Sequence, residues 1–111
     1  MRKTLVAAVS AAFLVVAVPA VAATTPTFKG TVGPGFTITM AKKPTKAGKV
    51  KITVSDKSDF HNFHLSGPGV NVKTSVSFVG TKTFTVTLKK GTYRFVCDPH
   101  ATSMKGAFKV S

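Results

Sequence analysis

Short runs of alternating apolar and polar residues cover nearly all of the chain from Phe28 to Val110. Such period-2 patterns, separated by Gly or Pro, are typical of β-strands that bury one face. Counting a first strand near residues 28–32, they predict about eight strands and no helix longer than a turn, hence an all-β sandwich or small barrel. The apolar positions that share a face are Phe36, Ile38 and Met40; Val50, Ile52 and Val54; His61, Phe63 and Leu65; Val76 and Phe78; Phe84, Val86 and Leu88; Tyr93, Phe95 and Cys97; and Phe108 and Val110.

The first 22 residues differ from this pattern. Arg2 and Lys3 precede an apolar run that ends in Ala20-Val21-Ala22. A basic start, an apolar middle and a small-x-small end are typical of a secretory signal peptide. We therefore expect residues 1–22 to be cleaved and residues 23–111 to form one domain in the periplasm, outside the cell or at the cell envelope. An uncleaved membrane anchor is the alternative.

The chain is strongly basic, with 16 Lys and Arg residues against three Asp and no Glu. The formal net charge is +13, or +11 once Arg2 and Lys3 are removed. This charge favours an acidic protein partner or an anionic envelope surface. Solubility and protection of strand edges are the alternative explanation. Nucleic acid is not expected, because the basic residues are not interleaved with stacking aromatics. We expect a monomer.

The one cysteine of the chain, Cys97, cannot form an internal disulfide. An unprotected thiol is a liability in an oxidising compartment, so a metal-bound thiolate is the favoured explanation. An intermolecular disulfide and an inert buried thiol are the alternatives. His100 and Met104 follow within eight residues, and His61 opens another strand-like run. Two imidazoles, a thiolate and a thioether form the donor set of a type 1 copper centre.

Strand geometry can bring these donors together. If the strands ending at Cys97 and starting at His61 are antiparallel neighbours, both residues lie at the same end of the sandwich. His100 cannot share a strand face with Cys97, but Pro99 favours a turn that returns His100 toward the metal. We expect Met104 to be the axial donor, with core filling as the alternative.

Three further residues have other expected roles. His64 lies on the opposite strand face from His61, so a surface or loop-contacting role is favoured over ligation. Asn62 is expected to hold the Cys97 loop in place. Met40 fits a core position.

Residues from about Phe36 to Val110 resemble the cupredoxins, the small blue copper proteins that include plastocyanin, pseudoazurin and azurin. The resemblance lies in His61-Asn62, Gly91-Thr92-Tyr93, Cys97-x-Pro99-His100 and His100-x-x-x-Met104-Lys105-Gly106. It implies a Greek-key β-sandwich and a single copper bound by His61, Cys97, His100 and Met104. It also implies that electrons enter and leave through His100. The loop departs from plastocyanin by being one residue shorter between His100 and Met104.

Three functions are compatible with these residues. The favoured function is an exported one-electron carrier between redox proteins. The acidic partner that the basic charge favours would be one of these redox proteins. The alternative is a copper-binding protein for delivery, storage or tolerance, and the third is a metal-free binding module. An enzyme is not expected, because a copper with four protein donors leaves no position for substrate and the chain lacks a catalytic carboxylate pair or Ser/His/Asp set.

Overall fold

The computed structural model of the protein describes residues 10–14 and 24–111. Residues 10–14 form neither helix nor strand, and the rest of the predicted signal segment 1–22 lies outside the described residues. No helix in the described part of the chain is long and apolar enough to cross a membrane.

The described chain is built of β-strands, as the alternating pattern predicts. Its one helical element is a single 3-10 turn, Asp98–His100. The eight strands are β1 (Thr27–Val32), β2 (Ile38–Met40), β3 (Gly48–Asp56), β4 (His64–Gly67), β5 (Val70–Lys73), β6 (Gly80–Leu88), β7 (Gly91–Val96) and β8 (Lys105–Val110).

The strands form two four-stranded sheets, one in the order β2-β1-β3-β6 and the other in the order β5-β4-β7-β8. β1 pairs with β3 in parallel, and every other pair is antiparallel. The predicted antiparallel neighbours are present, since Leu65 of β4 pairs with Phe95 of β7. The all-β sandwich of about eight strands is thus confirmed.

The core lies between the two sheets. Phe63 stacks on Phe95 with ring centroids 5.7 Å apart, and Tyr93 stacks on Phe108 at 5.3 Å. Gly106 of β8 lies against the face of Phe95 so closely that a Cβ atom there would overlap the ring. The residue type at position 106 therefore sets the depth to which Phe95 packs.

Two of the predicted strand assignments are wrong. Phe36 does not share the buried face of Ile38 and Met40; it precedes β2 in a loop and its side chain is 63% exposed. Residues 74–79 form a turn rather than a strand containing Val76 and Phe78, and β5 lies just before them. In addition, β4 begins three residues after His61 rather than at it.

β6 is one of the two edge strands of the first sheet, so it leaves one row of backbone groups free for pairing. Lys82 of β6 pairs with the buried Val54, so its side chain leaves the strand on the inward face, where it remains exposed at the end of the sandwich. Its ammonium lies over the Phe84 ring, 5.4 Å from the ring centroid. A charged residue on the inward side of an edge strand opposes pairing with another sheet.

Four loops meet at one end of the sandwich, which we call the loop pole. They are residues 33–37, 57–63, 74–79 and 97–104. The parallel pairing of β1 with β3 and the antiparallel pairings of β4 with β5 and β7 place these loops at the same end. The predicted metal ligands all lie in two of the four loops.

Candidate metal centre

The ends of two neighbouring strands bring His61 and Cys97 together. His64, the first residue of β4, pairs with Val96, the last residue of β7. Cys97 follows Val96 directly, and His61 lies three residues before His64, so both extend from the same edge of the sheet. Both side chains are completely buried.

Three of the four predicted ligands converge on one point. The two Nδ1 atoms of His61 and His100 are 3.1 Å apart. The Sγ atom of Cys97 is 3.6 Å from each of them. Among the described residues, this group of His and Cys side chains has the spacing of a metal site.

The separations fit a three-coordinate plane around a metal ion. A point in the plane of the three atoms and equidistant from them lies about 2.0 Å from each, which is close to a typical metal–imidazole bond length. One thiolate and two imidazoles, with a thioether beside them, are the donors of blue-copper sites. The residues present therefore fit a type 1 copper ion.

His100 reaches the site through the predicted turn after Cys97. Residues 98–100 form the 3-10 turn with Pro99 in its first positions, and the His100 N–H donates to the Cys97 carbonyl at 3.0 Å. The Met104 N–H then donates to the His100 carbonyl at 2.8 Å, and the Cys97 N–H donates to the Met104 carbonyl at 3.0 Å. Backbone hydrogen bonds thus fix the loop that carries three of the predicted donors.

Met104 is 1% exposed and belongs to the buried core at the end of this loop. Its position beside β8 agrees with both sequence-based interpretations, an axial donor and a core side chain. Met40 is also buried, as predicted, but it lies in β2 and not in a loop of the pole.

Asn62 ties the two ligand-bearing segments together, as expected. Its Nδ2 donates to Asp98 Oδ2 at 2.8 Å, and its Oδ1 accepts from the Asp98 N–H at 2.7 Å. Its own backbone N–H donates to Cys97 Sγ at 3.5 Å. A donor directed at the sulfur stabilises the thiolate and orients it toward the metal position.

The remaining histidine, His64, does not join the ligand group. Its Nδ1 lies 2.8 Å from Asp98 Oδ1, on the loop that follows Cys97. The preferred interpretation of His64 as a loop-contacting residue therefore agrees with the structure.

Two phenylalanines at the metal site were missed by the sequence analysis. Phe36 contacts both imidazoles edge-on, with centroid distances of 5.2 Å to His61 and 5.0 Å to His100. Phe60 packs on His61 at 4.2 Å. Gly33-Pro34-Gly35 immediately before Phe36 is a turn signal that could have placed Phe36 in a loop.

Behind His61 lies a small group of buried polar atoms. Within residues 24–111, His61 Nε2, Asp56 Oδ2 and Ser58 Oγ are buried and make no hydrogen bond. Burial raises the pKa of the Asp56 carboxyl, although the Ser58 N–H and the nearby His61 act in the opposite direction. The buried His61 ring thus directs Nδ1 at His100 and Cys97, while Nε2 faces the protein interior.

Comparison with known proteins agrees with this site. The family of copper-binding proteins that contains plastocyanin and azurin matches residues 6–111. No curated protein sequence matches the chain.

Solved structures with a similar fold include two of rusticyanin. Reduced rusticyanin at 1.9 Å is 27% identical, with a TM-score of 0.60 over 79% of this chain and 81% of that chain. Rusticyanin from Thiobacillus ferrooxidans is 26% identical, with a TM-score of 0.57 over 79% of each chain. Reduced auracyanin from Roseiflexus castenholzii shares the fold at 20% identity, with a TM-score of 0.54 over 79% of this chain and 98% of that chain.

Proposed function

Because the chain belongs to the plastocyanin/azurin family of copper-binding proteins, we propose that it carries single electrons between partner proteins through one type 1 copper ion. The observation that supports this most directly is the convergence of the buried Cys97 sulfur and two imidazoles within 3.1 to 3.6 Å of one another. His61, Cys97 and His100 would hold the metal, with Met104 as the weak axial donor. When bound, the copper supplies a one-electron couple between Cu(II) and Cu(I).

The role of the protein is to keep these donors in one arrangement for both oxidation states. Asn62 and the backbone bonds of the 97–104 loop fix Cys97 and His100, and Phe36 and Phe60 cover the imidazoles. A rigid arrangement reduces the reorganisation that accompanies each transfer. His100 is the one partly exposed member of the group, so it offers the shortest route to a partner.

The surface around His100 supports a docking role. In residues 24–111, every large apolar side chain that is exposed lies in a loop of the pole. They are Phe36, Phe60, Val76 and Val79. The basic residues lie mostly on the strands and at the other end of the sandwich, so the loop pole presents an apolar contact surface within a basic molecule. We expect an acidic redox partner to be steered by the charge and to dock at this pole.

Delivery or storage of copper is the second candidate, but no specific observation favours it. The burial of His61, Cys97 and Met104 argues for a retained ion, because exchange would require the loop to open. Transfer of copper to a chelator within seconds would support delivery instead. We also propose export with cleavage after Ala22, which the mass of the mature protein from a secreting host would test.

The deciding experiment adds one equivalent of Cu(II) to the purified protein and records the visible spectrum. We expect an intense thiolate-to-copper band that bleaches with a mild reductant and returns on oxidation. Cys97→Ser should remove this band without changing the far-ultraviolet circular dichroism, because it replaces the sulfur donor by a hydroxyl. Thr102→Ser in the same loop is the control and should stay blue. A blue Cys97→Ser protein would refute the ligand assignment.

A further inference from the structure

His64 is held by both of its ring nitrogens, although it does not face the metal. Its Nδ1 lies 2.8 Å from Asp98 Oδ1 and its Nε2 lies 2.6 Å from Asn71 Oδ1. The Asp98 carboxylate is an acceptor, so the short contact places a proton on Nδ1, while Nε2 contacts the side-chain amide of Asn71. The ring is thus fixed at both ends, with Nδ1–H directed at the ligand loop.

The carboxylate that His64 holds is part of the ligand loop. Asp98 lies between Cys97 and Pro99 and begins the turn that returns His100 to the site. Asn62 binds Asp98 Oδ2 and the Asp98 N–H, which leaves Oδ1 for His64. His64 and Asn62 therefore hold the two carboxylate oxygens separately.

We propose that His64 is a positioning residue for the metal site: through Asp98 it fixes the first turn of the ligand loop and neutralises the carboxylate next to Cys97. The proposal rests on the proposed copper function for its effect on the metal, but not for its effect on the loop. Asn71 completes the arrangement from β5 by holding the far side of the ring.

The groups around His64 are few. Asp98 faces it from the loop, Lys73 is its cross-strand partner on β5, and the apolar Val96 is its partner on β7. Burial lowers the pKa of His64, but the hydrogen bonds to Asp98 and Asn71 and the charge of Asp98 outweigh both burial and Lys73. The pKa of His64 is consequently raised above its ordinary value.

The ion pair also bears on the reduction potential. The reduced site carries one more negative charge than the oxidised site. A positively charged His64, linked to Cys97 through Asp98, favours the reduced state. The potential should therefore be higher while His64 is protonated and should fall as the pH rises through its pKa.

The first test needs no metal. Amide hydrogen exchange of His100 and Met104, whose N–H groups are bonded within the loop, would be compared in copper-free wild type, His64→Leu and His64→Gln. We expect roughly three- to tenfold faster exchange in His64→Leu, and partial recovery in His64→Gln, which keeps a hydrogen-bonding side chain. Ser66→Ala, on the same strand and exposed, is the control and should match wild type. Exchange within twofold of wild type in His64→Leu would overturn the loop-positioning role.

The second test uses the copper-loaded protein and records the reduction potential against pH. Wild type should show a fall that coincides with the His64 titration followed by NMR in the Cu(I) form, and His64→Leu should lack that step. A step that persists unchanged in His64→Leu would overturn the electrostatic role. Failure of the wild type to form a blue site would instead refute the proposed function, and the exchange experiment would still decide the role of His64 in the loop.

Discussion

Asn62 joins the loop of His61 to the loop of Cys97 through its side chain. It is 1% exposed and bonds to Asp98 twice and to the Thr74 carbonyl at 3.2 Å. Asn62→Ala would leave the Asp98 N–H and the Thr74 carbonyl without a partner, so we expect a loss of about 2–3 kcal/mol of unfolding free energy. Copper release should accelerate by roughly 10–100-fold, as is usual when a residue that supports a metal ligand is removed. Urea unfolding and chelator competition measure the two effects.

Ser66→Ala is the matched control for that prediction, because it removes an exposed hydroxyl from β4. We expect it to cost under about 1 kcal/mol. Equal losses in the two variants would show that burial of Asn62 has no special role.

The ion pair of His64 with Asp98 makes the free energy of unfolding depend on pH. Burial raises the pKa of Asp98, but its hydrogen bonds to His64 and Asn62 lower it to a net value below the ordinary range. The stability that Asp98 contributes is thus present above its ordinary pKa of about 3.9 and is lost as the pH falls through the lowered value. His64, with a raised pKa, contributes below about 6.5 and loses its contribution as the pH rises through its folded pKa.

The pair should therefore stabilise the copper-free protein most between about pH 4 and 6.5. The difference in unfolding free energy between wild type and His64→Leu, measured from pH 3 to 9, should be largest in that window and shrink on both sides. A difference that does not vary with pH would show that His64 acts only by packing.

At the scale of the elements, the junction of β7 with β8 depends on a glycine. The Phe95 ring lies where a side chain on Gly106 would be, and Phe95 is buried on Phe63. Gly106→Ala should cost about 1–3 kcal/mol, because the ring must leave its packed position. Gly35→Ala is the control, since a methyl group there would meet no atom within 4 Å. Denaturant unfolding of both variants tests the difference, and equal stabilities would contradict it.

The elements also show which parts of the fold the sequence could predict. Val50, Ile52 and Val54 alternate cleanly and all lie buried in β3, because one face of that strand packs against the core. Val76 and Phe78 alternate equally well but lie in a turn, since two apolar residues do not define a face without neighbours. β5, which carries Asn71, was missed because it is only four residues long and has just two apolar positions, Val70 and Val72.

The same limit holds for the site. His61, Cys97 and His100 were predicted to converge because neighbouring strands and Pro99 constrain them, and the structure brings them together. Phe36 was missed because its contact with both imidazoles joins loops distant in sequence. Nothing in local patterning records such a contact.

At the scale of the whole molecule, the location of the basic residues relative to the loop pole leads to a prediction about the rate of association with a partner. The formal charge is +13, or +11 without Arg2 and Lys3, and the exposed large apolar side chains of residues 24–111 lie at the pole, so charge should act at long range while apolar contacts act in the complex. The association rate with an acidic redox partner should fall steeply as ionic strength rises from 0.01 to about 0.2 M, as Debye screening predicts, with little change in the dissociation rate. Stopped-flow measurements test this, and an association rate that does not depend on salt would assign the lysines to solubility alone.

Lys82 shows how the positive charge limits the association of molecules through their sheet edges at high concentration. Edge-to-edge pairing of β6 strands from two molecules would bring their Lys82 ammonium groups to one shared seam. Repulsion between these like charges opposes growth of a continuous sheet from molecule to molecule.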